Sequence, residues 1–136
     1  SKLSTKATLK LMVYASSVDG EIHPSEINRI KQIITCYKQF SNFGTEDIAE
    51  VGSEIVNLIS SGSPDIAETI SSKIDSNDYH TAFAYVLEVC ASDYQFNTQE
   101  ISLIKKLKVL FQLDEQSYLS LKSSIFIRYG LNLKLE

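Results

Sequence analysis

The sequence predicts an all-α fold of about seven helices in a single compact domain with two pseudo-symmetric helix-loop-helix halves. Three observations carry that expectation. Apolar residues recur three and four positions apart through most of the 136-residue chain, the spacing that lines one face of an α-helix. Helix-opening Ser, Thr, Asp, Asn and Pro, and helix-closing Gly, punctuate these runs. No pair of alternating runs is joined by a hairpin dipeptide, and the one Asp-Gly, Asp19-Gly20, is flanked by helical patterns.

A first helix is expected over residues 4–18, with Ser4 as N-cap and Leu9, Met12, Val13, Ala15 and Val18 on its buried face. Leu11 and Tyr14 widen that face, so this helix should be central. Gly20 supplies a turn position that tolerates positive φ. A second helix is expected from Pro24 to about Phe40, with proline in the first turn and Ile27, Ile30, Ile34 and Tyr37 inward, beside Ile33. Thr45 should cap a third, with Ile48, Val51, Ile55 and Leu58 inward. Gly52 interrupts that helix and suggests a close helix crossing. Ser63-Pro64-Asp65 should open a fourth, striped by Ile66, Ile70 and Ile74. A fifth covers about residues 77–92 (Ala82, Val86, Val89 and Cys90 inward). A sixth follows Asn97 to about Leu113, with Ile101, Ile104, Leu107 and Phe111 inward. Asp114 caps a seventh over 115–129, with Tyr118, Leu121 and Ile125 inward, and Gly130 stops it. The domain is expected to span 1–136, with its core at about 4–130. The tail 131–136 alternates with period two and fits a short extended segment.

Composition narrows the function. Hydrophobic residues at 43% and charged residues at 22% are those of an ordinary globular domain. A net charge of −4 and a pI near 5.2 argue against nucleic acid, which needs a basic footprint. No apolar run reaches the roughly 18 residues of a membrane span, and no signal-peptide pattern is visible, so a cytoplasmic protein without membrane insertion is expected. The two cysteines, Cys36 and Cys90, fall inside helical patterns. They are expected to be free thiols packed as small apolar groups in a reducing compartment. Phosphate loops, nucleophile elbows and dinucleotide fingerprints are absent, so no catalysis is expected. His-Glu-x-x-His and Cys-x-x-Cys are absent too, which argues against structural zinc.

An internal repeat organises the chain. At an offset of 74 residues, 11–33 lie over 85–107. Asp19 meets Asp93, Glu26 meets Glu100, Ile27 meets Ile101, Ile30 meets Ile104 and Lys31 meets Lys105, while Met12/Val86, Ile22/Phe96 and Ile33/Leu107 keep apolar character. The first copy reads Asp19-Gly20-Glu21-Ile22-His23-Pro24-Ser25-Glu26, and the second keeps Asp93, Phe96 and Glu100 with Tyr94 in place of glycine. This pattern resembles the tellurite-resistance TerB-like domain, whose two helical halves each read acid-Gly-x-aliphatic-x-x-x-Glu. The resemblance runs from about Leu9 to Tyr129. It implies a role in tellurite or general stress response, a cation site built from the acids, and no established catalysis.

The four acids have two readings from sequence. As local structure, Glu26 and Glu100 are third-position capping-box residues, and Asp19 and Asp93 make Asx turns. As a site, Asp19, Glu26, Asp93 and Glu100 converge on one divalent cation, with calcium or magnesium favoured over zinc. An EF-hand is excluded, because the acids stand seven apart with little between. His23 and His80 read as surface residues. Tyr79, Tyr94 and Tyr118 are the tyrosines expected to be partly exposed and available to a protein partner. Two functions follow: a non-enzymatic cation-binding stress-response domain, or a helical protein-protein interaction module in which the acids only cap helices.

Overall fold

The computed structural model describes residues 1–20 and 23–131. These hold seven α-helices: α1 Lys2–Ser17, α2 Pro24–Cys36, α3 Thr45–Ser60, α4 Ile66–Ser71, α5 Tyr79–Ala91, α6 Thr98–Leu110 and α7 Glu115–Arg128. Short 3₁₀ turns at Lys38–Phe40 and Ser76–Asp78 complete the order, and the described residues contain no strand. The all-α expectation is met. The pairing of Ile22 with Phe96, and the extended tail expected beyond Leu131, fall on residues outside the described ones.

Two helices form the centre because they are apolar on most of their circumference. In α1, Leu9, Leu11 and Met12 are fully buried, and in α5 so are Phe83, Val86, Leu87, Val89 and Cys90. α1 packs against α2, α3, α4 and α5; α5 packs against α1, α2, α6 and α7. The two halves of the repeat, α1–α2 and α5–α6, are thus joined through their first helices. Phe40 closes the core beside Tyr85 and Phe43, in ring contacts of 5.4 and 6.1 Å.

Several local expectations are corrected by particular hydrogen bonds. Ser1, not Ser4, caps α1: its Oγ accepts from the Ser4 N–H at 3.1 Å. Ser4 is fully buried, donates to Asp78 Oδ2 at 2.8 Å and accepts from the Asp75 N–H at 2.8 Å. It therefore ties the start of α1 to the turn before α5. α2 ends at Cys36, because Tyr37 takes an extended conformation (φ −100°, ψ 132°). Tyr37 is then exposed and packs edge-on against Tyr85, and Cys36 is exposed rather than packed inside. α3 is capped from Gly44, whose N–H donates to Asp47 Oδ2 at 2.7 Å; Thr45 is its first helical residue. Pro64 lies before α4, since Asp65 is left-handed (φ 56°) and interrupts the helical path. Tyr118 is buried against Phe83, whereas Tyr94 is exposed.

Gly52 marks no close crossing. A Cβ placed there meets nothing within 4 Å, because the residue lines an open groove between α1 and α3. Gly52→Ala should therefore raise stability by about 0.5–1 kcal/mol, the helix-interior cost of glycine. Ser4→Ala should lower it by about 0.5–1.5 kcal/mol, since it removes the hydrogen bonds that Ser4 makes to the Asp75 amide and the Asp78 carboxylate. Urea unfolding of the two variants checks both signs.

Candidate functional site

The two loops of the repeat take the same path through different residues. Each first helix ends in a right-handed residue (Val18 and Ser92), and a left-handed residue follows: Gly20 at φ 82° and Tyr94 at φ 63°. The closing hydrogen bonds are equivalent, Gly20 N–H to the Ser17 carbonyl at 3.0 Å and Tyr94 N–H to the Ala91 carbonyl at 2.9 Å. The loss of glycine in the second copy has not changed the turn. Left-handed backbone costs a non-glycine residue on the order of 1 kcal/mol, and the Tyr94 ring meets Tyr129 at 5.7 Å in partial compensation.

The two helix starts differ. At α6 the expected capping box is complete: Asn97 Oδ1 accepts from the Glu100 N–H at 2.8 Å, and the Asn97 N–H donates to Glu100 Oε1 at 3.1 Å. At α2 it is absent. His23 stands where the second copy has Asn97, and its ring turns to Asp19 instead, with Nε2 3.0 Å from Oδ2. The Glu26 carboxylate makes no bond to the cap and is buried in the interior.

Glu26 is fully buried, and neither of its oxygens has a hydrogen-bond partner. It faces Glu100, 2% exposed, and the fully buried Cys90 thiol. One ligand atom from each of these three residues lies within 4.8 Å of the others. Asp19 reaches across the repeat rather than into this cluster, its Oδ2 accepting from Asn97 Nδ2 at 2.7 Å. Asp93 Oδ1 accepts from the Gln95 N–H at 3.3 Å in its own turn. Of the four acids expected to converge, two meet directly and two flank them. The flanking pair is still close enough for its charge to act on Glu26.

Comparison with known proteins fits this duplicated arrangement. A family model described as Tellurite resistance protein TerB matches residues 5–123. The chain belongs to this TerB family. No curated protein and no solved structure matches it. No helix among the described residues is long and apolar enough to cross a membrane.

Electrostatics set this TerB domain's cluster apart. Burial, then the Glu100 carboxyl, then the charges of Asp93 and Asp19 push the Glu26 carboxyl far above the usual carboxylate range. Burial also raises Glu100, while contacts with Glu26 and the Asn97 backbone oppose the rise. Two adjacent buried carboxyls cannot both carry charge cheaply and hold one proton between them. No N–H or O–H group among the described residues donates to either Glu26 oxygen, so Glu100 is the group left to share that proton. Burial, with the Glu100 and Glu26 charges behind it, raises the Cys90 thiol as well.

Sequence spacing pointed to Glu26 and Glu100 but not to Cys90 or Asn97. Cys90 lies on the inward stripe of α5, and its repeat-mate is Ser16, so polarity at this position in both copies was the available signal.

Because the folded Glu26 binds its proton more tightly than the unfolded chain does, its contribution to stability is complete below the ordinary value of 4.5. That contribution is lost as pH rises toward the raised folded value. In chelator-treated protein, stability should fall between pH 6 and 9 by up to about 1.4 kcal/mol per pH unit for one proton. Glu26→Gln, which mimics the protonated acid, should flatten that slope in urea unfolding across the same range.

Proposed function

We propose that this TerB-family domain is a non-enzymatic, cytoplasmic stress-response module that binds a divalent cation at Glu26 and Glu100, with Asp19 and Asp93 flanking the site. One observation carries the reading: Glu26 is a fully buried carboxylate with no donor on either oxygen. Two buried carboxyls this close cannot both ionise without a heavy penalty unless a cation stands between them. A cation between the two carboxyls would relieve that penalty, replacing the shared proton with a stronger positive charge. Glu100 keeps one oxygen on the Asn97 N–H, which fixes its direction and leaves the other for the cation. Asp19, already holding Asn97 and His23, would orient the loops and add negative field rather than bind directly. The alternative, a protein-interaction module with capping acids only, fits Glu100 but not Glu26, which makes no cap hydrogen bond.

Thermal unfolding of chelator-stripped protein with added calcium, magnesium, manganese or zinc tests the reading. At least one ion should raise stability, by about 2.7 kcal/mol at a hundredfold excess over its dissociation constant. Glu26→Gln should remove the response while leaving the metal-free protein folded. An unchanged melting temperature with all four ions would leave the interaction module as the better account.

A further inference from the structure

We infer that Cys90 is a third ligand of this site, supplying a thiolate that selects a thiophilic divalent metal such as zinc over calcium and magnesium. The inference rests on the reading of Glu26 and Glu100 as cation ligands and goes beyond it in the choice of metal. Three donors belong to the cluster: an oxygen of Glu26, an oxygen of Glu100 and the Cys90 sulfur, mutually within 4.8 Å and all buried. Donors on one tetrahedral zinc stand about 3.5 Å apart, so at most a contraction of about an ångström brings the three together. The unpartnered Glu26 oxygens are the independent sign that something is held here.

The chemistry of the donor set then decides the ion. Calcium seeks 6–8 oxygens and magnesium six, and a sulfur in the wall takes up one direction of any such shell. Zinc and its neighbours accept thiolate, carboxylate and a water on one small tetrahedral centre. On binding, the thiol proton and the proton shared by the two carboxyls leave to solvent, so metal replaces protons in the cluster. The sulfur comes from the helix preceding the second loop, Glu100 from the helix following it, and Glu26 from the other half of the repeat. A metal held by all three would cross-link the two halves.

Cobalt(II) reports the bond itself, because a thiolate on cobalt gives an intense near-ultraviolet charge-transfer band and carboxylates do not. The reduced, chelator-stripped full chain carrying Cys36→Ser leaves Cys90 as its single thiol. Adding cobalt(II) should produce the band, and one equivalent of zinc should bleach it. Cys90→Ser in the same background should abolish the band and weaken zinc by about tenfold or more in calorimetric titration, with circular dichroism confirming the fold. Calcium should bind more weakly than zinc and should not respond to Cys90→Ser. Binding that Glu26→Gln removes, but that shows no band and is indifferent to Cys90→Ser, would overturn the thiolate assignment while sparing the carboxylate site. Absence of binding by cobalt, zinc, calcium, magnesium and manganese alike would overturn both.

Discussion

The burial of Glu26 against Glu100 is the constraint around which the rest of the site is arranged. Two carboxyls at this depth must share a proton or a cation, because like charges in a low-dielectric interior repel strongly. The helices carrying them hold the pair in place. Glu100 is pinned by the Asn97 capping box, and Glu26 opens α2, whose Ile30, Ile33 and Ile34 are buried in the core. Movement of Glu26 toward solvent would have to draw the first turn of α2 away from α5. The apolar core therefore carries the cost of keeping this polar group inside.

Duplication explains how such a pair arises. The two halves place equivalent glutamates on equivalent helices, and packing α1 against α5 goes with an approach of Glu26 and Glu100 to within 4.8 Å. Symmetry alone would make both glutamates capping residues. The exchange of Asn97 for His23 at the equivalent position breaks it, since an imidazole directed at Asp19 leaves the first-turn N–H groups of α2 without the side-chain acceptor that Asn97 gives α6. The same Asp19 takes the Asn97 side-chain amide, so the polar residues of the two loops interlock across the repeat. Asp19 is thus a structural bridge between the halves in addition to a source of negative field at the cluster.

Much of this was legible in the sequence. Helical spacing of Leu9, Met12, Val86, Val89, Ile104 and Leu107 gave the number of helices and their inward faces, because a helix must turn its apolar stripe to the core. Helix boundaries were less legible where a cap had competitors. Ser1 and Ser4 both suit the start of α1, and only the approach of Asp75 and Asp78 from the turn before α5 settles which one caps. The turn at Tyr94 was obscured for a related reason: glycine is the usual left-handed residue, and a tyrosine takes its place at a conformational cost, its ring against Tyr129.

By itself the sequence determined an acidic all-helical chain, its seven helices, its internal repeat and the pairing of Asp19 with Asp93 and Glu26 with Glu100. These are properties of periodicity and of local capping chemistry, which depend on residues a few positions apart. Tertiary structure alone decided that the two glutamates meet, that Cys90 stands beside them and that the two aspartates stay outside. Those outcomes depend on the angle and depth at which one half packs on the other. Burial then turns four similar acids into two different kinds, because a carboxyl's charge state is set by the dielectric and the neighbours that folding provides.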